Sequence, residues 1–303
     1  IRIDYGSSDE LSAVAEAYVE PVLGALGGGA GAGRASALAA ALVQVYNQVP
    51  AKFTVDEARH YLFTPRELLG WVSSLLQYSV GSNEGFEGVL DVVVAEARAR
   101  FGERLVDERA CARFDAILGS VFRASFNYAP AERGRSVYTS WSPTADGEGK
   151  LGLMALEGFA KVVQGGIKVF ERDWQELKLK IFPQMLALAA SYDRVLSAKD
   201  GSGHVLAVGA PGTGKSSLLK VVAHMHSYEI AVMSVSRPPS IKEFRNWLKG
   251  VLLKGGVEGT GVLVVVRDSQ VFSAEVLEAL NALLGCGEVP GLFTPEELDG
   301  LLA

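Results

Sequence analysis

The first half of the chain repeats its apolar residues at helical spacing. Ser7-Ser8-Asp9-Glu10 forms a capping box, in which a Ser side chain and a Glu three residues on satisfy each other's free N–H groups. Leu11, Val14, Ala15, Tyr18 and Val22 follow on one helical face. A Gly/Ala stretch over 27–33 has no side chains to pack and reads as a linker. A second helix carries Leu38, Leu42, Val45 and Tyr46 and is expected to end at Pro50. Thr64-Pro65-Arg66-Glu67 opens a third, with Thr as N-cap, Pro in the first turn and Glu closing the box. Leu68, Leu69, Trp71, Val72 and Leu75 supply its apolar face. Helices are also expected over about 85–101, 108–123, 152–171 and 183–197. The polar, Gly-containing run 142–150 reads as an exposed loop.

Beyond residue 200 the period changes, and short apolar runs alternate with helical ones. Strands are expected at 204–208, 230–235 and 262–266, the last a β-branched and aliphatic run of the kind found in the middle of a parallel sheet. Helices are expected at 216–226, after the capping box Ser240-Ile241-Lys242-Glu243, at 273–284, and from Thr294-Pro295-Glu296-Glu297. Strand–helix alternation of this kind predicts an α/β fold with a parallel sheet.

Composition narrows the function. Half of the 303 residues are hydrophobic and the net charge is −6. No basic face of the kind a nucleic-acid binder uses is visible, so no nucleic-acid partner is expected. The longest apolar runs are far too short to span a bilayer, and no membrane insertion or secretion leader is expected. Two cysteines, Cys111 and Cys286, have no disulfide or metal spacing. His224 and His226 sit two apart, on different faces of a helix, which favours packing over a metal site.

One motif carries specific chemistry. Gly209-Ala210-Pro211-Gly212-Thr213-Gly214-Lys215-Ser216 matches the P-loop pattern G-x-x-x-x-G-K-[ST] in full, with Ser217 next in line. Its glycines let backbone N–H groups turn toward phosphate oxygens, and the following helix points its positive end at the same anion. Lys215 reaches the terminal phosphates and Ser216 ligates Mg²⁺, so ATP or ADP with Mg²⁺ is the expected ligand. Asp268, just past the last apolar strand, is the expected second Mg²⁺ ligand at the carboxyl edge of the sheet. Many ATPases of this type place a Glu directly after that Asp, as the base that orients water. Here Ser269 stands there, and a neutral hydroxyl is no substitute at pH 7. No catalytic residue is therefore assigned, and binding with little or no hydrolysis is expected. Gln270 is a candidate for positioning water. Arg267 reads as a packing or interface residue. Arg66 reads either as a solvated first-turn charge or as a sensor arginine at the start of a lid helix.

These residues resemble the dynein heavy chains. Gly203-His204 running into the P-loop, the helix Tyr192-Asp193-Arg194-Val195-Leu196, and above all Asn281-Ala-Leu-Leu-Gly-Cys-Gly-Glu288-Val-Pro290-Gly-Leu-Phe293 are similar to the fourth AAA+ module of that family. His60-Tyr-Leu-Phe-Thr-Pro-Arg-Glu-Leu68 with Trp71 resembles the lid of the third module, and Val137-Tyr-Thr-Ser-Trp141 the segment joining the two. Tyr18-Val-Glu-Pro-Val-Leu23, Val43-Gln-Val-Tyr46, Lys52-Phe-Thr-Val55, Ala223-His-Met-His226 and Phe293-Thr-Pro-Glu-Glu-Leu298 look most like the intraflagellar-transport (cytoplasmic type 2) class.

The resemblance implies an AAA+ P-loop NTPase, a parallel αβα sandwich, preceded by a mostly helical lid of the previous module. It divides the chain into 1–141 (end of the third module), a linker at 142–150, and 151–303 (start of the fourth). It makes Arg66 the sensor of the third module, and the chain a piece of a longer one. It also implies an ATPase motor that moves toward microtubule minus ends in cytoplasm, cytoskeleton and cilium or flagellum. Implied partners are neighbouring AAA+ modules, a second heavy chain, intermediate, light-intermediate and light chains, and intraflagellar transport particles. Two other readings use the same residues: a self-contained P-loop NTPase or kinase, or a purely structural AAA+ element with a vestigial pocket.

Overall fold

The computed structural model describes residues 6–25, 32–80, 85–198, 203–233 and 240–302. Residues 26–31, most of the Gly/Ala stretch, lie outside this set. Ala32 and Gly33 already belong to a helix. The chain forms two compact units. One comprises Ile1–Ala160 with Leu186–Lys199, the other Lys161–Met185 with Asp200–Ala303.

The first unit is built on helices α1 (Ser8–Ala25), α2 (Ala32–Lys52), α3 (Pro65–Ser74), α4 (Gly85–Arg100) and α5 (Glu108–Phe126). Both expected capping boxes are present. Ser7 N–H donates to Glu10 Oε2 at 2.7 Å, and Thr64 N–H donates to Glu67 Oε2 at 2.8 Å. The buried face of α1 is Ala15, Val19, Val22 and Leu23, whereas Val14 and Tyr18 are exposed. Of the expected stripe, Ala15 and Val22 are buried and Leu11 packs against the core, while packing against α2 takes Val19 and Leu23 in place of Val14 and Tyr18. Helix α2 passes through Pro50 to Lys52, because a proline in the last turn removes only one bond of the helix. Trp71 anchors the core. It is fully buried, donates its indole N–H to Val93 O at 2.9 Å, and meets Phe101 edge-on at 5.5 Å.

A hairpin of β1 (Ser136–Thr139) and β2 (Gly152–Ala155) completes this unit. The expected helix over 152–171 therefore begins as a strand, and α6 (Leu156–Asp173) starts four residues later. Residues 142–150 form the hairpin's turn, where Ser142 Oγ donates to Leu153 O at 2.8 Å. Glycine is required at 152, since a Cβ there would lie 2.5 Å from the Ala145 nitrogen.

The last part of α7 (Pro183–Leu196) packs in the first unit through two buried carboxylates. Asp193 accepts from Thr139 Oγ1 (2.6 Å), Ser140 N–H (2.8 Å) and Ser140 Oγ (2.6 Å). Glu96 accepts from Tyr78 Oη at 2.7 Å and from Arg194 at 3.2 and 3.3 Å. Burial, reinforced by the Glu96 charge, pushes the Tyr78 phenol well above its ordinary range, so Tyr78 stays a donor.

The second unit holds α8 (Lys215–Met225), β3 (Glu229–Val232), α9 (Ile241–Gly256), β4 (Val262–Val265), α10 (Ala274–Cys286) and α11 (Pro295–Leu302). Strands β3 and β4 pair in parallel, Glu229 opposite Val262 and Val232 opposite Val265, with α9 as the crossover. Helices α6 and α8 approach closely: a Cβ on Gly166 would sit 2.1 Å from Met225 Sδ. His224 packs edge-on against Phe170 at 5.4 Å, and His226 stacks on Tyr228 at 6.0 Å.

The strand expected at 204–208 is not formed. Among the described residues no neighbour pairs with it, and Leu206 and Val208 are 91% and 82% exposed. An apolar run predicts where a strand is able to form; pairing depends on a partner the run itself does not contain.

Candidate nucleotide site

The loop between residue 208 and α8 has the backbone of a phosphate cradle. Gly212 (φ +81°) and Gly214 (φ +80°) occupy the left-handed region that side chains avoid. Gly214 caps α8, so the helix opens directly beneath the loop with its first N–H groups unpaired within the helix. Leu218, Val221, Val222 and Ala223 are buried and hold α8 in place, while Ser216 stays exposed at its first turn.

Lys215 bends back into this loop. Its ammonium donates to Gly209 O (2.8 Å), Ala210 O (2.6 Å) and Thr213 Oγ1 (3.0 Å). Three neutral oxygens thus surround the cation at the mouth of the cradle. Phosphate oxygens are stronger acceptors for an ammonium than neutral carbonyls. The donor set fits a nucleotide phosphate: glycine backbone, helix N-terminus, one cation and one hydroxyl.

Asp268 and Ser269 lie in a 3-10 turn, Asp268–Gln270, immediately beyond β4. Both side chains are exposed, at the edge where β3 and β4 end. Ser216 and Asp268 present an exposed hydroxyl and an exposed carboxylate, oxygen donors of the kind a divalent ion takes. Arg267 is exposed, as an interface residue would be. Gln270, by contrast, is only 3% exposed and turned inward. Its Oε1 accepts from Arg267 N–H at 2.6 Å and its Nε2 donates to Met233 O at 2.8 Å. That corrects the expectation that Gln270 positions water, because the amide is consumed in tying the turn to β3. The three-residue spacing was the available signal: a Gln at the third position of a helical turn reaches back to the first N–H, as in a capping box.

Arg66 belongs to the other unit. It is exposed on the first turn of α3, and among the described residues it makes no hydrogen bond or ion pair. The 281–293 segment is a structural closure. Gly287 (φ +74°) ends α10, and Val289, Leu292 and Phe293 fold back onto Phe244, Leu248 and Val276.

Two family models match this chain. One, described as the P-loop containing dynein motor region D4, covers residues 177–303. The other, the dynein heavy chain ATPase lid domain, covers residues 18–110. The chain belongs to the dynein heavy-chain family. Its fold is accordingly the α/β AAA+ fold with a helical lid. Among its relatives, the cytoplasmic dynein 2 heavy chain 1 of Tripneustes gratilla is 37% identical over 99% of this chain. The human protein of the same name is 36% identical over 99%, and that of Chlamydomonas reinhardtii 34% identical over 88%. The chain spans 7% of the length of the first two and 6% of the third. Dynein heavy chains are AAA+ ATPase motors, a family that uses nucleotide and Mg²⁺ in general.

Proposed function

We propose that the second unit is a nucleotide-holding module of a dynein motor ring, one that binds Mg-ATP or Mg-ADP and hydrolyses ATP slowly. In this reading residues 1–141 end one AAA+ module, 142–150 link, and 151–303 begin the next. The observation that carries it is the Lys215 ammonium gathered with Gly209, Ala210 and Thr213 at the mouth of a loop that opens onto a helix N-terminus. Gly209 to Ser217 hold the phosphates. Ser216 and Asp268 hold the metal. With Ser269 exposed beside Asp268, no carboxylate follows to take a proton from water.

Held nucleotide would stiffen the ring and bias its shape, a regulatory or structural role. Arg66, exposed and uncommitted on α3, is the sensor of the preceding module in the same reading. The relatives' names say cytoplasmic dynein 2 heavy chain, and on the resemblance we infer a larger assignment: a minus-end-directed microtubule motor, working as a heavy-chain dimer with intermediate, light-intermediate and light chains. Its setting would be cytoplasm and cilium, its cargo intraflagellar transport particles.

Single-turnover hydrolysis, measured in a ring whose other P-loops are disabled, tests the core of the proposal. Stoichiometric ATP capture with release of phosphate slower than ring turnover is the expected result. Rapid turnover at this site, or no ATP captured, overturns it.

A further inference from the structure

The turn that carries Asp268 also carries a buried polar residue, Gln270, which is 3% exposed. Both backbone polar groups of Arg267 are bonded to Gln270. The Arg267 N–H donates to Gln270 Oε1 at 2.6 Å, and the Arg267 C=O accepts from Gln270 N–H at 2.8 Å. Asp268 and Ser269 are the two residues bracketed between them. A further bond, Val271 N–H to Asp268 O at 3.1 Å, closes the far side. The remaining end of the amide, Nε2, reaches Met233 O at 2.8 Å, just beyond β3.

We propose that Gln270 is a positioning residue for the magnesium ligand: it fixes the Asp268 turn against the end of β3 and so presets the carboxylate for the metal. This rests on the nucleotide-site reading above. The chemistry favours an amide over other side chains of its size. The turn offers a donor, the strand end offers an acceptor, and one neutral group must serve both in a site where an unpaired partner is costly. A carboxylate would face the Met233 carbonyl without a proton to give, and an apolar side chain would leave both groups unmet. Asp268 itself is exposed and, among the described residues, has no side-chain partner. Its direction is therefore set through the backbone of the turn, and the turn is set by Gln270.

The test uses the 303-residue chain, a fluorescent ADP, and affinities taken with Mg²⁺ and with chelator. Gln270→Leu and Gln270→Met each fill the space and make neither bond; two variants guard against one that fails to fold. Each is made alone and with Asp268→Asn. The expected result is a loss of about tenfold in the affinity gained from Mg²⁺, the scale of one misaligned bond to a charged group. Metal-free affinity should stay within about twofold, and the Gln270 variants should cost nothing further once Asp268 is Asn. Full Mg²⁺ dependence in the Gln270 variants overturns the proposal while leaving the nucleotide site intact. An equal loss in the Asp268→Asn background does the same, since it marks general structural damage. Wild-type chain that binds no ADP through Lys215, judged by an unaltered signal in Lys215→Ala, removes the nucleotide reading itself, and this inference with it.

Discussion

Two sets of acidic side chains, one in each unit, show opposite solutions to the same electrostatic problem. Glu96 and Asp193 are fully buried and surrounded by partners: Tyr78 and Arg194 donate to the first, with Arg100 in ion-pair range at 3.5 Å, and Thr139, Ser140 and Ser197 donate to the second. Asp268 is exposed, and among the described residues its carboxylate meets nothing. A buried carboxylate without partners is too costly to keep, so burial and full pairing go together. An exposed one keeps its oxygens free for an ion that arrives later. What distinguishes a structural acid from a ligand-binding one is therefore its unmet capacity, and the same contrast separates Gln270 from Ser269 within a single turn.

The largest effect should come from breaking the buried set. Glu96→Ala strands the Arg194 charge in the core and should cost about 3–5 kcal/mol. Asp268→Ala removes an exposed group and should change stability by less than about 0.5 kcal/mol. Urea melts of the two variants side by side measure the difference. Comparable losses would mean that Asp268 is held by contacts its exposure does not reveal.

Lys215→Ala reverses the pattern. It should leave the melt within about 0.5 kcal/mol, because the three bonds from the ammonium to Gly209, Ala210 and Thr213 lie on an accessible surface. ADP affinity should fall about a hundredfold, the upper range for hydrogen bonds to a charged partner. Isothermal titration of the 303-residue chain decides it. Affinity within a factor of about three of wild type would relegate the lysine to loop closure.

How much of this the residues announced depends on the range of the interactions. The capping boxes at Ser7, Thr64 and Ser240 were readable because donor and acceptor lie three residues apart. The P-loop was readable because its function needs a contiguous run of backbone shapes. Glu96 and Asp193 were not, because their partners are up to 98 residues away and nothing local marks a carboxylate for burial. The strand expected at 204–208 failed for the same reason: its apolar residues are local, its pairing is not. The hairpin strand at 152–155 was absorbed into a helix because four residues are too few to set a period against the strongly amphipathic α6 that follows.

Between Asp268 and Gln270, Ser269 offers a gain-of-function test. Ser269→Glu supplies the carboxylate that the turn lacks and should raise single-turnover ATP hydrolysis by about a hundredfold, the lower range for a general base. The measurement belongs in a ring with the other P-loops disabled, so that phosphate released reports this site. An unchanged rate would place the block to hydrolysis elsewhere in the pocket. Glu275, exposed on the first turn of α10, is the nearest carboxylate in sequence to test next.

The smallest effects lie in neighbouring residues of α3, where a structural and an uncommitted charge sit side by side. Glu67 is engaged: its carboxylate accepts from Thr64 N–H and Oγ1 and faces Arg104 at 3.2 Å. Partial burial pushes its acidity toward higher pH, but the bonds from Thr64 outweigh that and hold the carboxyl below its ordinary value of 4.5. A carboxylate depressed on folding adds stability above its unfolded value and loses it as pH falls through the folded one. Glu67→Ala should cost about 1 kcal/mol near neutral pH, the usual worth of a helix cap, and the gap to wild type should narrow as the pH falls below the ordinary value of 4.5 and through the depressed folded one. Arg66→Ala, one residue earlier, should shift the same melts by no more than about 0.5 kcal/mol at any pH, since its guanidinium is exposed and has no partner among the described residues. If Arg66 serves as a sensor, its removal should instead appear in the nucleotide affinity of the preceding module in a complete ring. A melt for Arg66→Ala as low as that for Glu67→Ala would assign the arginine to the fold and end its candidacy as a sensor.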